Sequence, residues 1–351
     1  MGIHLGEKMK YQGKYGIIDL AGIKTYPVSG RKNKVKIDNL ADLNKILQEK
    51  IEIDIETDSY IEETAQLFYD HAKTGRTIAV IAGAHLVKNG LSPIIIDLMQ
   101  KGLISIYATN TAAAIHDFEI GLIGQTSEDV PNALPEGNFG MAFELGLINQ
   151  AMNTGNKKFL GLGESLGKVF NEIDFKNESF DNFTDKQITF RYPDKSILAE
   201  GYRLNIPVTV HSTIGNDVID QHANFDGEAK GGTSGRDFLI FTNVMKNLTH
   251  GGLILNFGSA IIGPELLLKA LSITANLGYK PDNIYTADFD IRPANLSKMK
   301  SEDSFYYYFR DQKSIVTRIP QSFNGKGIYV CGNHLTTLKR FYQLLSKKFG
   351  W

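Results

Sequence analysis

The sequence has one cysteine, Cys331, in 351 residues. That excludes a disulfide-stapled secreted scaffold and any cysteine-rich zinc module. It also lacks an excess of either charge. The 38 basic residues stand against 39 acidic ones, a formal net charge of -1, so nothing global draws the chain to nucleic acid or to an anionic membrane. Long apolar runs are missing too. The most apolar stretches, 77–84 and 253–262, are too short to span a bilayer and contain glycine. Residues 1–10 are polar and carry no apolar segment of the signal-peptide kind, so the expected location is cytoplasmic. What is present is an ordinary soluble composition, 42% hydrophobic and 22% charged. Glycine is the outlier, with 34 residues against a usual level of about 7%.

Residues 1–75 read as an N-terminal extension packing on a core of residues 76–351. Within the extension, Lys24, Arg31, Lys32, Lys34 and Lys36 form a basic strip around Pro27 and Gly30, read as a solvated loop. Helices are expected over 40–48, with Asp38 or Asn39 as cap, and over 60–72. From Thr77 onward short apolar, β-branched runs alternate with helical stretches. Strands are expected at 77–82, 104–108, 207–210, 252–256, 283–287 and 327–331. Helices are expected at 92–100, 111–122, 139–153, 196–204, 235–248, 264–276 and 335–347. Continuous apolar strands between helices indicate an α/β fold, a Rossmann-like parallel sheet sandwiched by helices. The polar stretches 175–194 and 292–324 read as surface excursions.

In such a sheet, ligands bind beyond the carboxyl ends of the strands. This chain puts small and polar residues there: Gly83-Ala84-His85, Thr109-Asn110-Thr111-Ala112-Ala113, His211 through Asp217, Phe257-Gly258-Ser259-Ala260 and Thr286-Ala287-Asp288. Small residues let a ligand approach the backbone, and helix N-termini offer N–H groups to phosphate. The set favours a nucleotide-sized anionic ligand held by Gly83, Ala84, Thr109, Asn110, Thr111, Gly258, Ser259, Thr286, Ala287 and Asp288. The glycines at 161, 163 and 167 do not match the dinucleotide fingerprint in spacing or context and read as close packing at a helix start. Gly231-Gly232-Thr233-Ser234 before a helix is the better phosphate cradle.

Histidine is the second constellation. His85, His116, His211 and His222 fall in or just after these turns, with Asp117, Asp217 and Asp226 nearby. Histidine serves as acid or base near neutral pH, or as metal ligand. His211 and His222 match no fixed-spacing metal motif, which leaves a metal-dependent hydrolase or lyase as an alternative. A non-catalytic nucleotide-binding protein is another. Cys331 reads as a buried small apolar residue.

The stretch 90–117 resembles deoxyhypusine synthase, whose Thr-Thr-Ala-Gly-Gly turn corresponds to Thr109 through Ala113. The resemblance continues through Asn205-Ile206-Pro207-Val208, through 254–259, and through Tyr285-Thr286-Ala287-Asp288-Phe289-Asp290, covering about residues 77–295. The first two strands are also similar to the ornithine cyclodeaminase domain of arginine-handling proteins. The resemblance implies a Rossmann-like fold that binds NAD, in tetramers with active sites at subunit interfaces. It departs at the family's glycine triplet, here Phe257-Gly258-Ser259, and at an acidic position that falls on His116, although the next aspartate matches Asp117. The family's Asp-Ala at the last strand end is replaced near Cys331-Gly332-Asn333, and Lys313 is the nearest counterpart of its imine-forming lysine. The expected function is therefore not deoxyhypusine synthesis itself. It is an NAD-dependent reaction on a small amine or amino acid by hydride transfer and an imine, with His85, His116 or His211 moving protons, Asp117 or Asp217 holding the amine, and no metal.

Overall fold

The computed structural model describes residues 11–181, 188–295 and 297–351, apart from the Lys300 side chain. The polar N-terminus and part of the stretch read as an excursion at 175–194 lie outside the described residues. The described residues form eight strands: β1 (Asn33–Lys36), β2 (Thr77–Ala82), β3 (Ile106–Asn110), β4 (Gln125–Glu128), β5 (Val208–His211), β6 (Gly252–Phe257), β7 (Ile284–Asp290) and β8 (Gly327–Cys331). Six form one sheet in the order β5-β3-β2-β6-β7-β8, and every pairing in it is parallel. Counted within this sheet the order is 3-2-1-4-5-6, that of the dinucleotide-binding doubly wound fold. The α/β, Rossmann-like expectation is met.

The strand residues explain the burial. Every residue of β2 and β6 is buried, so helices must cover both faces, and two apolar clusters lie on opposite sides of the sheet. On one side Phe68 of the Ile55–Lys73 helix meets Phe341 of the His334–Phe349 helix edge to face, with ring centroids 5.7 Å apart. On the other, Phe241 and Met245 of the Gly227–Met245 helix and Leu267 and Leu271 of the Ile262–Asn276 helix are fully buried. The small antiparallel pair β1–β4, in register Val35 with Thr126, joins the N-terminal segment to the core.

Several boundaries moved. β3 begins and ends two residues later than expected, and β7 runs on through Asp290. Thr109, Thr286 and Ala287 therefore lie within strands and are buried, not in ligand-facing turns. The first helix starts at Leu43 because the Asp42 carboxylate accepts from the N–H groups of Asn44 and Lys45. The helix expected from 235 starts at Gly227, with Asp226 as N-cap. Gly231-Gly232-Thr233-Ser234 thus sits inside a helix, where its N–H groups are used internally, and cannot cradle a phosphate. The stretch 292–324 is no mere surface excursion, since Asp311, Gln312, Lys313 and Ser314 are buried where a π-helical segment (Gln312–Arg318) packs beside β7. Cys331, expected to be buried, is exposed at the end of β8.

Asp237 shows how the edge strand β5 is held. Its Oδ2 accepts from the N–H of Gly163 at 2.9 Å and of Val210 at 2.7 Å. A Cβ on Gly163 would lie 1.8 Å from the Val208 carbonyl oxygen, so this glycine lets the Leu162–Asn171 helix pack directly on β5, as its spacing suggested. Burial pushes the Asp237 carboxyl up to about 7. The folded chain then keeps a proton that the unfolded chain loses near the ordinary value of 3.8. Stability is full below that value and declines as pH rises toward 7. Asp237→Asn cannot ionise, so wild type is expected to lose stability relative to it between about pH 4 and 7, by at most about 4 kcal/mol. Denaturant midpoints of both chains at pH 5 and pH 8 check this.

Candidate functional site

The strand order reverses between β2 and β6, and there the two chains run close together beyond their carboxyl ends. Gly83 N donates to Phe257 O at 3.0 Å, and Gly258 N donates to Phe289 O at 3.0 Å. A Cβ on Gly83 would stand 2.4 Å from the Gly258 carbonyl oxygen. Gly258 itself has φ +65°, a conformation that costs a side chain strain, and a Cβ there would press on the His334 ring at 2.9 Å. His334 is buried, with Nε2 donating to Phe289 O at 3.0 Å. Nothing in its sequence context marked it, because its neighbours across the sheet are remote in the chain. Ser259 Oγ accepts from Gly263 N at 3.0 Å and orders the turn into the next helix.

One strand away, Asn110 ends β3 and caps the Thr111–Ile123 helix through Ala113 N at 2.9 Å. Thr111 Oγ1 donates to Ser212 Oγ at 2.8 Å across to the turn after β5. Ala84 and Ala112 are left partly or fully exposed on this edge, and His85 is exposed beside them.

The other sequence-marked residues separate by environment. Asp117 is buried and accepts from Ser196 Oγ at 2.5 Å, Ile197 N at 2.8 Å and Leu198 N at 3.0 Å. It stitches two helices together, and burial pushes its carboxyl up to about 6. Asp217 is paired with the fully buried Lys230 at 2.7 Å, which also holds Asp220 at 2.5 Å. Both carboxylates expected to hold an amine are thus engaged by the chain. His211 lies in β5 against Phe241, bonds Thr209 Oγ1 at 3.0 Å, and is pushed down by burial to about 4. His222 is buried and donates to Gly140 O at 2.8 Å. Among the described residues no three His, Cys, Asp or Glu side chains are grouped to hold a metal ion.

Asp288 is fully buried in β7, where Oδ1 accepts from Asn256 Nδ2 at 2.7 Å. Burial and the neighbouring Asp311 hold its carboxyl well above the usual range. It faces this internal cluster, not an open turn. Lys313 is buried with Nζ 3.0 Å from the centre of the Tyr307 ring. Burial first, then the charges of Arg318 and Arg310, lower its proton affinity.

His116 lies in a cleft of 230 Å³ between the Thr111–Ile123 helix, the N-terminal segment and the turn after β5, lined also by Arg31, Lys88, Glu119 and Asn216. Its Nδ1 stands 2.7 Å from Thr126 Oγ1, which donates to Glu119 Oε2; Glu119 Oε1 accepts from Arg31 at 2.5 Å. Arg31 is therefore no part of a solvated loop, for its side chain is only 4% exposed. Burial, then Lys88, Arg31 and His85, push His116 down to about 3. Thr126, Glu119 and Lys88 carried no sequence signal, since nothing local in the chain foretells the β1–β4 pairing that brings Arg31 to Glu119.

No family model matches the chain, and no curated protein matches it. Solved structures do. Apo ArgZ, an arginine dihydrolase from the ornithine-ammonia cycle in cyanobacteria, is 15% identical with TM-score 0.46, over 84% of this chain and 32% of that one. AgrE in ternary complex with ornithine and NAD+ is 13% identical with TM-score 0.42, over 86% and 34%. A deoxyhypusine synthase candidate from Entamoeba histolytica is 10% identical with TM-score 0.41, over 93% and 96%. The chain spans about a third of the length of ArgZ and AgrE. Among the described residues no helix is long and apolar enough to cross a membrane.

Two stability predictions follow from this geometry. Gly83→Ala drives a methyl group into the Gly258 carbonyl and is expected to cost about 1–3 kcal/mol, whereas Gly235→Ala, in a helix with open space around it, is expected to be neutral or to stabilise by up to about 1 kcal/mol. Asp117→Ala strands three buried donors and is expected to cost more than about 2 kcal/mol. Thermal or denaturant unfolding of the three variants reads these values.

Proposed function

We propose that this chain is an NAD-dependent enzyme that oxidises a small amine or amino acid at the carbon bearing nitrogen. The observation that carries the reading is the 3-2-1-4-5-6 strand order with a glycine directly after each of the two strands at the point of reversal, the place where such sheets bind dinucleotides. The small residues Gly83, Ala84, Ala112, Gly258 and Ser259 leave the backbone open there, and Asn110 and Thr111 start the adjoining helix. NAD, when bound, supplies the hydride acceptor. Loss of hydride from the substrate carbon and of a proton from its nitrogen leaves an imine, which water or a second amine attacks.

The chain's own groups suit the remaining steps. His85 is exposed at the edge and is placed to move protons. Lys88 brings a cation to the cleft and suits a substrate carboxylate, which favours an amino acid over a plain amine. Lys313 is a buried amine of lowered proton affinity, suited to attack an imine carbon. In this reading the enzyme works in the cytoplasm as a homo-oligomer, dimer or tetramer, with sites near subunit contacts.

The test is the melting midpoint with millimolar NAD or NADP. A rise of several degrees is expected, reduced in Gly258→Ala. No shift with either cofactor, and none retained on purification, overturns the reading. Given binding, Lys88→Ala is expected to raise KM for an amino acid at least tenfold while leaving cofactor affinity unchanged, as steady-state kinetics would show.

A further inference from the structure

The polar chain behind His116 continues past the reach of any one element. Arg31 comes from the N-terminal segment, Glu119 from the Thr111–Ile123 helix and Thr126 from β4. A threonine hydroxyl has one proton, and here it goes to Glu119 Oε2, while Arg31 pairs with the other oxygen and opposes the rise in proton affinity that burial gives this carboxyl. The hydroxyl oxygen then accepts from His116 Nδ1–H at 2.7 Å. With Nδ1 protonated in a neutral ring, Nε2 carries the lone pair, and among the described residues no protein donor is bonded to it.

We propose that Thr126 and Glu119 are positioning residues that hold His116 in the Nδ1–H tautomer, so that Nε2 presents a permanent hydrogen-bond acceptor to an N–H group of the ligand in the cleft. The groups around the ring are Lys88 and His85 on the Ala84–Lys88 helix, Arg31 on the N-terminal segment, Glu119 on its own helix, Glu128 on β4 beside Arg31, and Asp217 in the turn after β5, paired with Lys230. The three basic ones oppose a second proton on the ring, and Glu119 is already neutralised by Arg31. A ligand amine donating to Nε2, with its carboxylate toward Lys88, matches both halves of the cleft. This ligand assignment rests on the amino-acid reading above; the tautomer does not.

The experiment is long-range ¹H–¹⁵N correlation of histidine-labelled full-length protein without cofactor, the His116 signals being assigned by their loss in His116→Gln. The expected spectrum shows protonated Nδ1 and unprotonated Nε2, unchanged between pH 5 and 8. Thr126→Val is expected to shift population to the Nε2–H form, and Thr126→Ser to restore the wild-type pattern. An Nε2–H tautomer in wild type, a ring that titrates near pH 6.5, or a Thr126→Val spectrum identical to wild type overturns the proposal. If Thr126→Val does not fold, the wild-type tautomer alone decides. Because no cofactor is added, failure here is distinct from failure to bind NAD.

Discussion

The contact between the ends of β2 and β6 is the constraint on which the site depends. Six paired positions run in register from Thr77 with Gly252 to Ala82 with Phe257, and beyond them the backbone of Gly83 lies against the carbonyl of Gly258. Only residues without a Cβ permit that approach. The approach sets where the two halves of the sheet diverge, and so where helix starts and turns from both halves face a common edge. His334, the last helix and the Ile262–Asn276 helix are all placed from this contact.

Around it the fold uses buried carboxylates as fasteners. Asp237 ties the Leu162–Asn171 helix to β5, Asp117 ties the Thr111–Ile123 helix to the one after Ser196, and Asp217 and Asp220 close on Lys230. Each satisfies donors that would otherwise be costly to bury. The chemical consequence is subtraction: groups that look reactive in the sequence are already bonded, and burial has pushed the His116 and His211 rings below neutral titration. Among the described residues His85, Lys88 and His116 reach solvent at this edge beside small residues. Charge in the cleft is therefore directional, with Glu119 and Glu128 beside Arg31, Asp217 on Lys230, and Lys88 open.

The apolar strands β2 and β8 were legible residue for residue and β6 to within one residue, because a buried parallel strand must be a continuous apolar run. Pro264 and the apolar spacing after it marked the Ile262–Asn276 helix to within two residues. Legibility failed where polar residues are buried for tertiary reasons. β7 was read as ending at Ala287 because Asp288 looks like a turn residue, whereas Asn256 donates to its Oδ1 inside the sheet and Arg292 pairs with Asp290 at the strand end. The Gly227–Met245 helix was read as starting late because its first turns carry glycine, and its packing on β5 outweighs that propensity. β1 and β4 are too short and too polar for any pattern to show them.

The sequence by itself determined the class of the fold and the small and polar residues that lie at the carboxyl ends of its strands, because alternation of apolar strands with helices permits little else, and Gly83, Asn110 and Gly258 each end or directly follow a strand. Only the tertiary structure decided which of the marked groups remain free. Whether an aspartate holds a ligand or a helix, and which nitrogen of His116 keeps its proton, depends on partners that are tens to hundreds of residues away in the chain, as Ser196 is from Asp117 and Arg31 is from Glu119. Local pattern carries periodicity and caps. It does not carry the pairing of buried charges, since that is fixed by the cost of leaving any one of them unpaired after the chain has closed.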